Sequence, residues 1–208
     1  MKKHFFMQTG SIIASITLLI GIAAAAEQSQ PRDSTSAYHF LTETAQGGLA
    51  EVTLGQMATA KSENEAVKNF GRRMVQDHSK ANNEIKGLAT TAGVPLPTEM
   101  SAEAKDLQQR LGSLSGVEFD RTYMEEMVKD HKKDIAAFEN QAESGKNAQV
   151  KEWAKKTLPT LKEHLDLAQS TAKRVSAKDK DRDASGGMSA AASGSQIHEE
   201  TGKIAGGR

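Results

Sequence analysis

Two segments of the sequence, Met74–His78 and Met127–His131, share the pattern Met-Val-x-Asp-His. A weaker third copy, Thr160–His164, ends in Glu-His. In each copy the histidine falls on or beside a seam of apolar residues spaced three or four apart, which is the spacing of one helix face. Imidazole is a common ligand of transition metals, so histidines repeated on three helices predict a shared metal site.

The predicted site combines nitrogen, oxygen and sulfur donors. Three imidazoles with one carboxylate suit a divalent transition metal, whereas thioether with imidazole suits copper, especially Cu(I). Each methionine of the two strong copies lies four residues before its histidine and shares its helix face. The pattern does not separate copper from zinc. The predicted ligands are His78, His131, His164, Glu51, Met74 and Met127.

The same residues have a structural interpretation without metal. A histidine on an apolar seam is more often a hydrogen-bonded core residue than a ligand, and methionine at core spacing more often fills a gap. The acids before the histidines are expected to face solvent, because adjacent helix residues point about 100° apart. These acids are Asp77, Asp130 and Glu163.

The hydrophobic periodicity predicts an all-α protein. Four long helices are expected over residues 38–61, 64–92, 116–144 and 147–175, with a short helix over 101–112. Short connections make the first two long helices, and the last two, antiparallel neighbours. The long connection between the second and third permits a crossover along the bundle, so we predict a ferritin-like antiparallel four-helix bundle.

The heights of the candidate ligands follow from these helices. His78, His131 and His164 fall close to the midpoints of the second, third and fourth long helices, and Glu51 falls near the midpoint of the first. The midpoint of a helix stays at mid-height whichever way the helix runs. The four side chains are therefore expected at one level of the core.

The ends of the chain differ from the bundle in composition. Residues 1–26 have a basic start, an apolar run and an Ala-x-Ala site, which is the pattern of a cleaved signal peptide. Residues 27–37 are polar and are expected to form a flexible lead-in. Residues 176–208 are rich in Ser, Gly, Ala and Lys, and they are expected to be disordered because they cannot bury enough apolar surface.

Composition narrows the function classes. Lys+Arg and Asp+Glu both number 27 and aromatic residues are 4% of the 208 residues, which argues against a nucleic-acid partner. Cysteine is absent, so there are no disulfides and no thiolate ligands. No stretch after the signal segment is apolar enough for a transmembrane span. We therefore expect an exported protein, in the periplasm or associated with the outer membrane.

Several segments resemble one bacterial family of exported proteins, the domain of unknown function 4142 family. They are Gln46–Val52, Arg73–Asn82, Phe119–Met124 and Thr157–Leu165. The resemblance covers about residues 38–172 and implies a ferritin-like helical domain whose members are often labelled predicted outer membrane proteins. It supplies no catalytic residues.

Di-iron chemistry and enzymatic activity are not favoured. Ferritin-like di-iron proteins use Glu-x-x-His on two helices, but Val75, Val128 or Leu161 stands three residues before each histidine. No phosphate-binding loop or nucleophile motif is found. The preferred hypothesis is an exported bundle that binds copper or zinc. The alternative is a non-catalytic structural or stress-related envelope protein whose core histidines bind no metal.

Overall fold

The computed structural model describes residues 31–192, with side chains described for residues 36–180. This part of the chain forms five helices, namely α1 (Pro31–Lys61), α2 (Glu65–Ala92), α3 (Ala102–Ser113), α4 (Gly116–Ser144) and α5 (Ala148–Ala192). Residues 31–192 contain no strand, and the predicted all-α class is confirmed. The predicted signal peptide over residues 1–26 lies outside the described residues.

Polar caps and a glycine set the ends of the central helices. The Asn64 side chain accepts a hydrogen bond of 3.0 Å from the N–H of Ala66 and so begins α2. The Ser101 hydroxyl accepts from the N–H of Ala104 at 3.2 Å and begins α3. Gly93 ends α2 with φ 67°, a left-handed conformation that glycine adopts without strain. These caps satisfy backbone groups that a helix end leaves unpaired.

The four long helices form the predicted bundle. Short connections join α1 to α2 and α4 to α5, and these two pairs pack together most extensively. The remaining sides of the bundle are formed by α2 with α5 and by α1 with α4. The C-terminal halves of α2 and α4 lie in the same part of the core, so these two helices run in the same direction. The link between them, which contains α3, therefore crosses the length of the bundle.

The first and last helices extend further than the sequence predicted. α1 begins at Pro31, inside the segment expected to be a flexible lead-in, and the first turn of a helix is a position that favours proline. α5 continues to Ala192, past the expected boundary at residue 175. An ion pair of 2.8 Å between Arg121 Nη1 and Asp179 Oδ2 holds this extension against α4. The helical part of the chain thus enters both segments that were expected to lack structure.

The core consists of two apolar clusters, one on each side of a layer of ionisable side chains. One cluster, here called the methionine cluster, includes Phe70, Met74, Tyr123 and Met127. The other, called the tryptophan cluster, includes Phe40, Ile85, Phe138, Trp153 and Leu161. Between them each long helix contributes one buried ionisable residue. This histidine layer comprises Glu51, His78, His131 and His164.

None of the helices in residues 31–192 has both the length and the apolar character needed to cross a membrane.

Candidate metal centre

The three histidines of the layer converge. One ring nitrogen from each of His78, His131 and His164 lies within 4.8 Å of the corresponding nitrogens of the other two. The centroid of the His164 ring lies 5.4 Å from each of the other two rings, which are themselves 5.8 Å apart. All three residues are buried. The expected meeting of three helices at one level is therefore confirmed for the imidazoles.

A backbone hydrogen bond fixes the orientation of His131. Its Nδ1 lies 2.9 Å from the carbonyl oxygen of Met127, one turn earlier in α4. Because a carbonyl only accepts, Nδ1 must carry the proton, and Nε2 then holds the free lone pair. The buried Nε2 has no hydrogen-bond partner. His131 thus keeps one nitrogen available as a metal ligand.

A carboxylate from the neighbouring helix fixes His164 in the opposite tautomer. The Nε2 of His164 lies 2.8 Å from Asp77 Oδ2, which leaves Nδ1 buried and unpartnered. Asp77 also accepts a hydrogen bond from Arg73 on its own helix. Burial raises the pKa of Asp77, but the hydrogen bonds from Arg73 and His164 outweigh burial and hold that pKa below its usual value. Asp77 is therefore an ionised acceptor.

Sequence reasoning missed this role of Asp77, which was expected to face solvent. The Asp77 side chain is only 23% exposed and points between α2 and α5. No local pattern identifies its partner, because His164 lies on another helix far along the chain. The available signal was the repeat itself, which places an acid beside each histidine. In the structure, Asp77 does not bind the histidine beside it in the sequence but accepts a hydrogen bond from His164 on a neighbouring helix.

His78 completes the set with a third free nitrogen, since its Nε2 is buried and unpartnered. Burial, reinforced by the charges of His131 and His164, lowers the pKa of His78 to about 3. Burial also lowers the pKa of His131, to about 4, and that of His164. At neutral pH all three imidazoles are therefore uncharged, which is the state that binds metal ions.

Glu51 lies in the histidine layer, but it approaches the ring nitrogen of His131 that is already hydrogen-bonded. Its Oε1 is 3.7 Å from His131 Nδ1, the nitrogen that is bonded to the Met127 carbonyl rather than the free one. Both carboxyl oxygens of Glu51 are buried without a hydrogen-bond partner. Burial, followed by the nearby charges of Asp130 and Asp134, raises the pKa of Glu51 well above its usual value. Burial and Asp130 likewise raise the pKa of Asp134, to about 7.

The two methionines predicted as ligands lie on one side of the layer. Met74 and Met127 are fully buried in the methionine cluster, where they pack with Phe70 and Tyr123. The backbone of Met127 contacts the site through its carbonyl oxygen. The role of both sulfur atoms as ligands stays a prediction.

Fold and site together define a helical bundle with a buried three-histidine centre. The chain belongs to the family described as Domain of unknown function (DUF4142), whose model matches residues 22–171. The family predicted from the sequence is thus confirmed. Comparison with curated protein sequences gives no significant match.

Two solved structures of a protein named CopM have a similar fold. CopM in the Cu(II)-bound form is 14% identical and has a TM-score of 0.57, and the match covers 68% of this chain and 96% of that chain. CopM in the Ag-bound form, obtained by co-crystallization, is 15% identical with a TM-score of 0.55 and covers 66% and 96%. At this level of identity the likeness shows that the helical fold is shared.

Proposed function

We propose that the protein binds one copper ion through His78, His131 and His164. The observation that carries the proposal is the set of three buried, uncharged imidazoles, each with one nitrogen that has no hydrogen-bond partner. A buried polar atom without a partner costs about 1–3 kcal/mol. A metal ion held by the three free nitrogens would remove this cost from all of them at once.

The metal-free alternative accounts less well for these contacts. Core histidines with a purely structural role are expected to be hydrogen-bonded, since most buried polar groups are. In the described part of the chain no hydrogen bond joins one of the three imidazoles to another, although one nitrogen of each lies within 4.8 Å of the others. The hydrogen bonds of His131 and His164 engage only the other ring nitrogen. This arrangement supports a role as ligands.

Copper is favoured over zinc on chemical grounds. A given set of nitrogen ligands binds Cu(II) more tightly than Zn(II). The two structures with a similar fold are copper-bound and silver-bound, which supports a centre for soft or borderline metals. Di-iron binding is not proposed, because a carboxylate-rich site is required for it and the three converging ligands here are all imidazoles.

The remaining predicted ligands receive different parts in this proposal. Glu51 is not a ligand in this proposal, because its Oε1 lies 3.7 Å from the hydrogen-bonded nitrogen of His131 and its raised pKa favours the uncharged carboxyl. Met74 and Met127 offer thioether ligands for Cu(I) from the methionine cluster.

We further propose that the protein is exported, on the pattern of residues 1–26, and that it serves as a copper buffer or carrier of the cell envelope rather than as an enzyme.

The test is a titration of the full chain, purified without a tag, with Cu(II) and Zn(II). Trp153, the single tryptophan, packs beside the layer and lines the same cavity as His78 and His164. Bound paramagnetic Cu(II) should therefore quench its fluorescence, and the electron paramagnetic resonance spectrum should show coupling to nitrogen. We expect one copper per chain by elemental analysis and weaker binding of zinc.

Matched variants separate the site from adventitious binding. Changing His78, His131 and His164 together to Gln should abolish the quenching of Trp153 fluorescence and the binding of one copper per chain. The control changes His39, which is exposed on α1, and His198, which lies outside the described residues, to Gln. The control should bind copper as the unchanged protein does. Copper retained by the triple variant, or copper lost from the control, would overturn the proposal.

A further inference from the structure

A small cavity adjoins the histidine layer on the side of the tryptophan cluster. Its volume is about 30 Å³, and His78 and His164 form part of its wall. Ile85, Phe138 and Trp153 of the tryptophan cluster also line it. The methionine cluster lies on the other side of the layer, and neither Met74 nor Met127 lines the cavity. The two faces of the centre are thus chemically different.

The cavity is large enough to hold a ligand the size of water, and several of its lining residues carry polar groups. A volume of about 30 Å³ accommodates one or two water molecules when polar partners are present. Asn82, Thr160 and Asp134 line the cavity, and their amide, hydroxyl and carboxyl groups are candidates for such partners. The absence of a side chain at Gly48 makes room for Asn82, because a Cβ at this position would lie 2.0 Å from Asn82 Oδ1.

Counting the nitrogen and carboxylate donors leaves one position of a Cu(II) ion unfilled, since the thioethers of Met74 and Met127 are proposed as ligands of Cu(I). Copper(II), zinc and cobalt(II) take at least four ligands, and three imidazole nitrogens converge here. Among the described residues, no further His, Asp or Glu joins the converging group. Glu51 lies beside the hydrogen-bonded nitrogen of His131, so it is not placed to fill the gap.

We propose that the cavity beside His78 and His164 holds an exchangeable fourth ligand of the metal, namely water or another small monodentate ligand. The inference rests on the proposed three-histidine metal centre. A centre of this kind is open on the side of the tryptophan cluster, whereas a purely structural site is closed by protein ligands. The volume of the cavity suits molecules of two or three heavy atoms.

The experiment uses the full chain loaded with one equivalent of Cu(II). Water labelled with oxygen-17 should broaden the electron paramagnetic resonance signal, because a coordinated oxygen nucleus couples to the copper electron. Azide should then replace the water, give a charge-transfer absorption band and show a saturable dissociation constant. Elemental analysis of the same samples reports metal content independently of either ligand.

Variants that change the cavity provide the structural test. Ala81 lines the cavity, and Ala81→Val places two methyl groups in it. This change should raise the azide dissociation constant about tenfold while leaving one copper bound. Gly48→Ala is the second variant, because it must displace the flexible Asn82 side chain and should also change the azide constant. Gly47→Ala is the control, since its added Cβ would meet nothing within 4 Å.

The possible outcomes distinguish a failure of this inference from a failure of the proposed function. Labelled-water broadening, together with azide binding that Ala81→Val or Gly48→Ala weakens and Gly47→Ala does not, supports the open position. Stoichiometric copper with no broadening and no azide band would overturn it while the three-histidine centre stands. Azide binding that is equal in all four proteins would also overturn it. A failure to bind copper at all would overturn both proposals.

Discussion

At the residue scale, two hydrogen bonds determine which ring nitrogens of His131 and His164 are free to bind a ligand. The Met127 carbonyl holds the proton on Nδ1 of His131, and the Asp77 carboxylate holds it on Nε2 of His164. Each ring therefore presents its other nitrogen without having to rotate or change tautomer. In a metal site such partners also raise the basicity of the ligand, so in the proposed centre they would affect the affinity for a metal without contacting it.

Asp77→Asn should weaken metal binding by about 10–100-fold, the range typical for the loss of a partner behind a ligand. An amide can present its NH₂ group to His164 and so favour the wrong tautomer. The measurement is a competition titration with a chromogenic copper chelator. Glu163→Gln is the matched control, because Glu163 precedes His164 and makes a 3.4 Å contact with Arg73, but its side chain is 70% exposed and is not hydrogen-bonded to the imidazole. An equal loss of affinity in both variants would contradict the role given to Asp77.

The metal-free protein should lose stability as the pH falls below that of an ordinary histidine. Unfolded His78 and His131 take up protons near pH 6.5, whereas in the folded state their pKa values are lowered to about 3 and about 4. Between these limits the unfolded state binds more protons, so acid favours unfolding. At pH 5.0 each residue should destabilise the fold by roughly 2 kcal/mol relative to pH 7.5.

Urea denaturation of the metal-free protein at the two pH values tests this expectation. The reference is the double variant in which His78 and His131 are both Gln. Glu51 and Asp134 have raised pKa values and act in the opposite direction, but they are present in both proteins and cancel in the difference. A stability difference between the proteins that does not change with pH would show that the histidines titrate normally.

At the scale of helices, paired glycines let α1 and α2 approach closely on the methionine-cluster side of the histidine layer. A Cβ on Gly55 would lie 2.8 Å from the backbone oxygen of Gly71, and a Cβ on Gly71 would lie 2.7 Å from that of Gly55. Neither backbone can move without separating the helices. This close contact fixes the height of Glu51 on α1 relative to His78 on α2.

Gly71→Ala should therefore destabilise the protein by about 1–3 kcal/mol, as overpacking does in a well-packed core. Gly87→Ala lies in the same helix, but its Cβ would meet nothing within 4 Å. It should stabilise the protein by up to about 1 kcal/mol, because alanine is the better helix former. Chemical denaturation of the two variants compares them directly. Destabilisation of similar size in both would show that helix propensity, rather than the contact, decides.

On the scale of the whole molecule, the histidine layer divides the core, and its three imidazoles come from three of the four long helices. His78, His131 and His164 come from α2, α4 and α5, so a shared metal would connect both hairpins of the bundle. The apolar clusters on either side limit the access of water, and burial between them keeps the imidazoles uncharged. Metal binding should consequently be coupled to the stability of the entire bundle.

Copper at a free concentration of 100 times its dissociation constant should stabilise the folded protein by about 2.7 kcal/mol. The thermal midpoint should rise with copper concentration and reach no plateau within this range, because the folded state alone has the assembled site. Differential scanning fluorimetry with a copper titration measures the shift. The triple His→Gln variant is the control and should show no shift. A similar shift in that variant would place the stabilising copper elsewhere.

The sequence determined the fold class and the meeting of the histidines. Apolar residues spaced three and four apart defined the helices, and the long link between residues 92 and 116 allowed a crossover. Because His78, His131 and His164 lie near the midpoints of the helices predicted from the periodicity, their common height did not depend on helix direction. The extra length of α1 and α5 could not be predicted, since the polar, Ser-rich and Gly-rich composition of these segments does not favour a helix, and the Arg121–Asp179 pair on α5 joins residues far apart in sequence.

Tertiary structure alone decided the details of the centre. It assigned Asp77 to His164, placed Glu51 beside the hydrogen-bonded nitrogen of His131 and opened a cavity beside His78 and His164. These features depend on which helices are neighbours and how each is rotated about its axis, and contacts between residues far apart in sequence fix both. Periodicity shows which face of a helix points inward, but it contains no information about the atoms that this face meets.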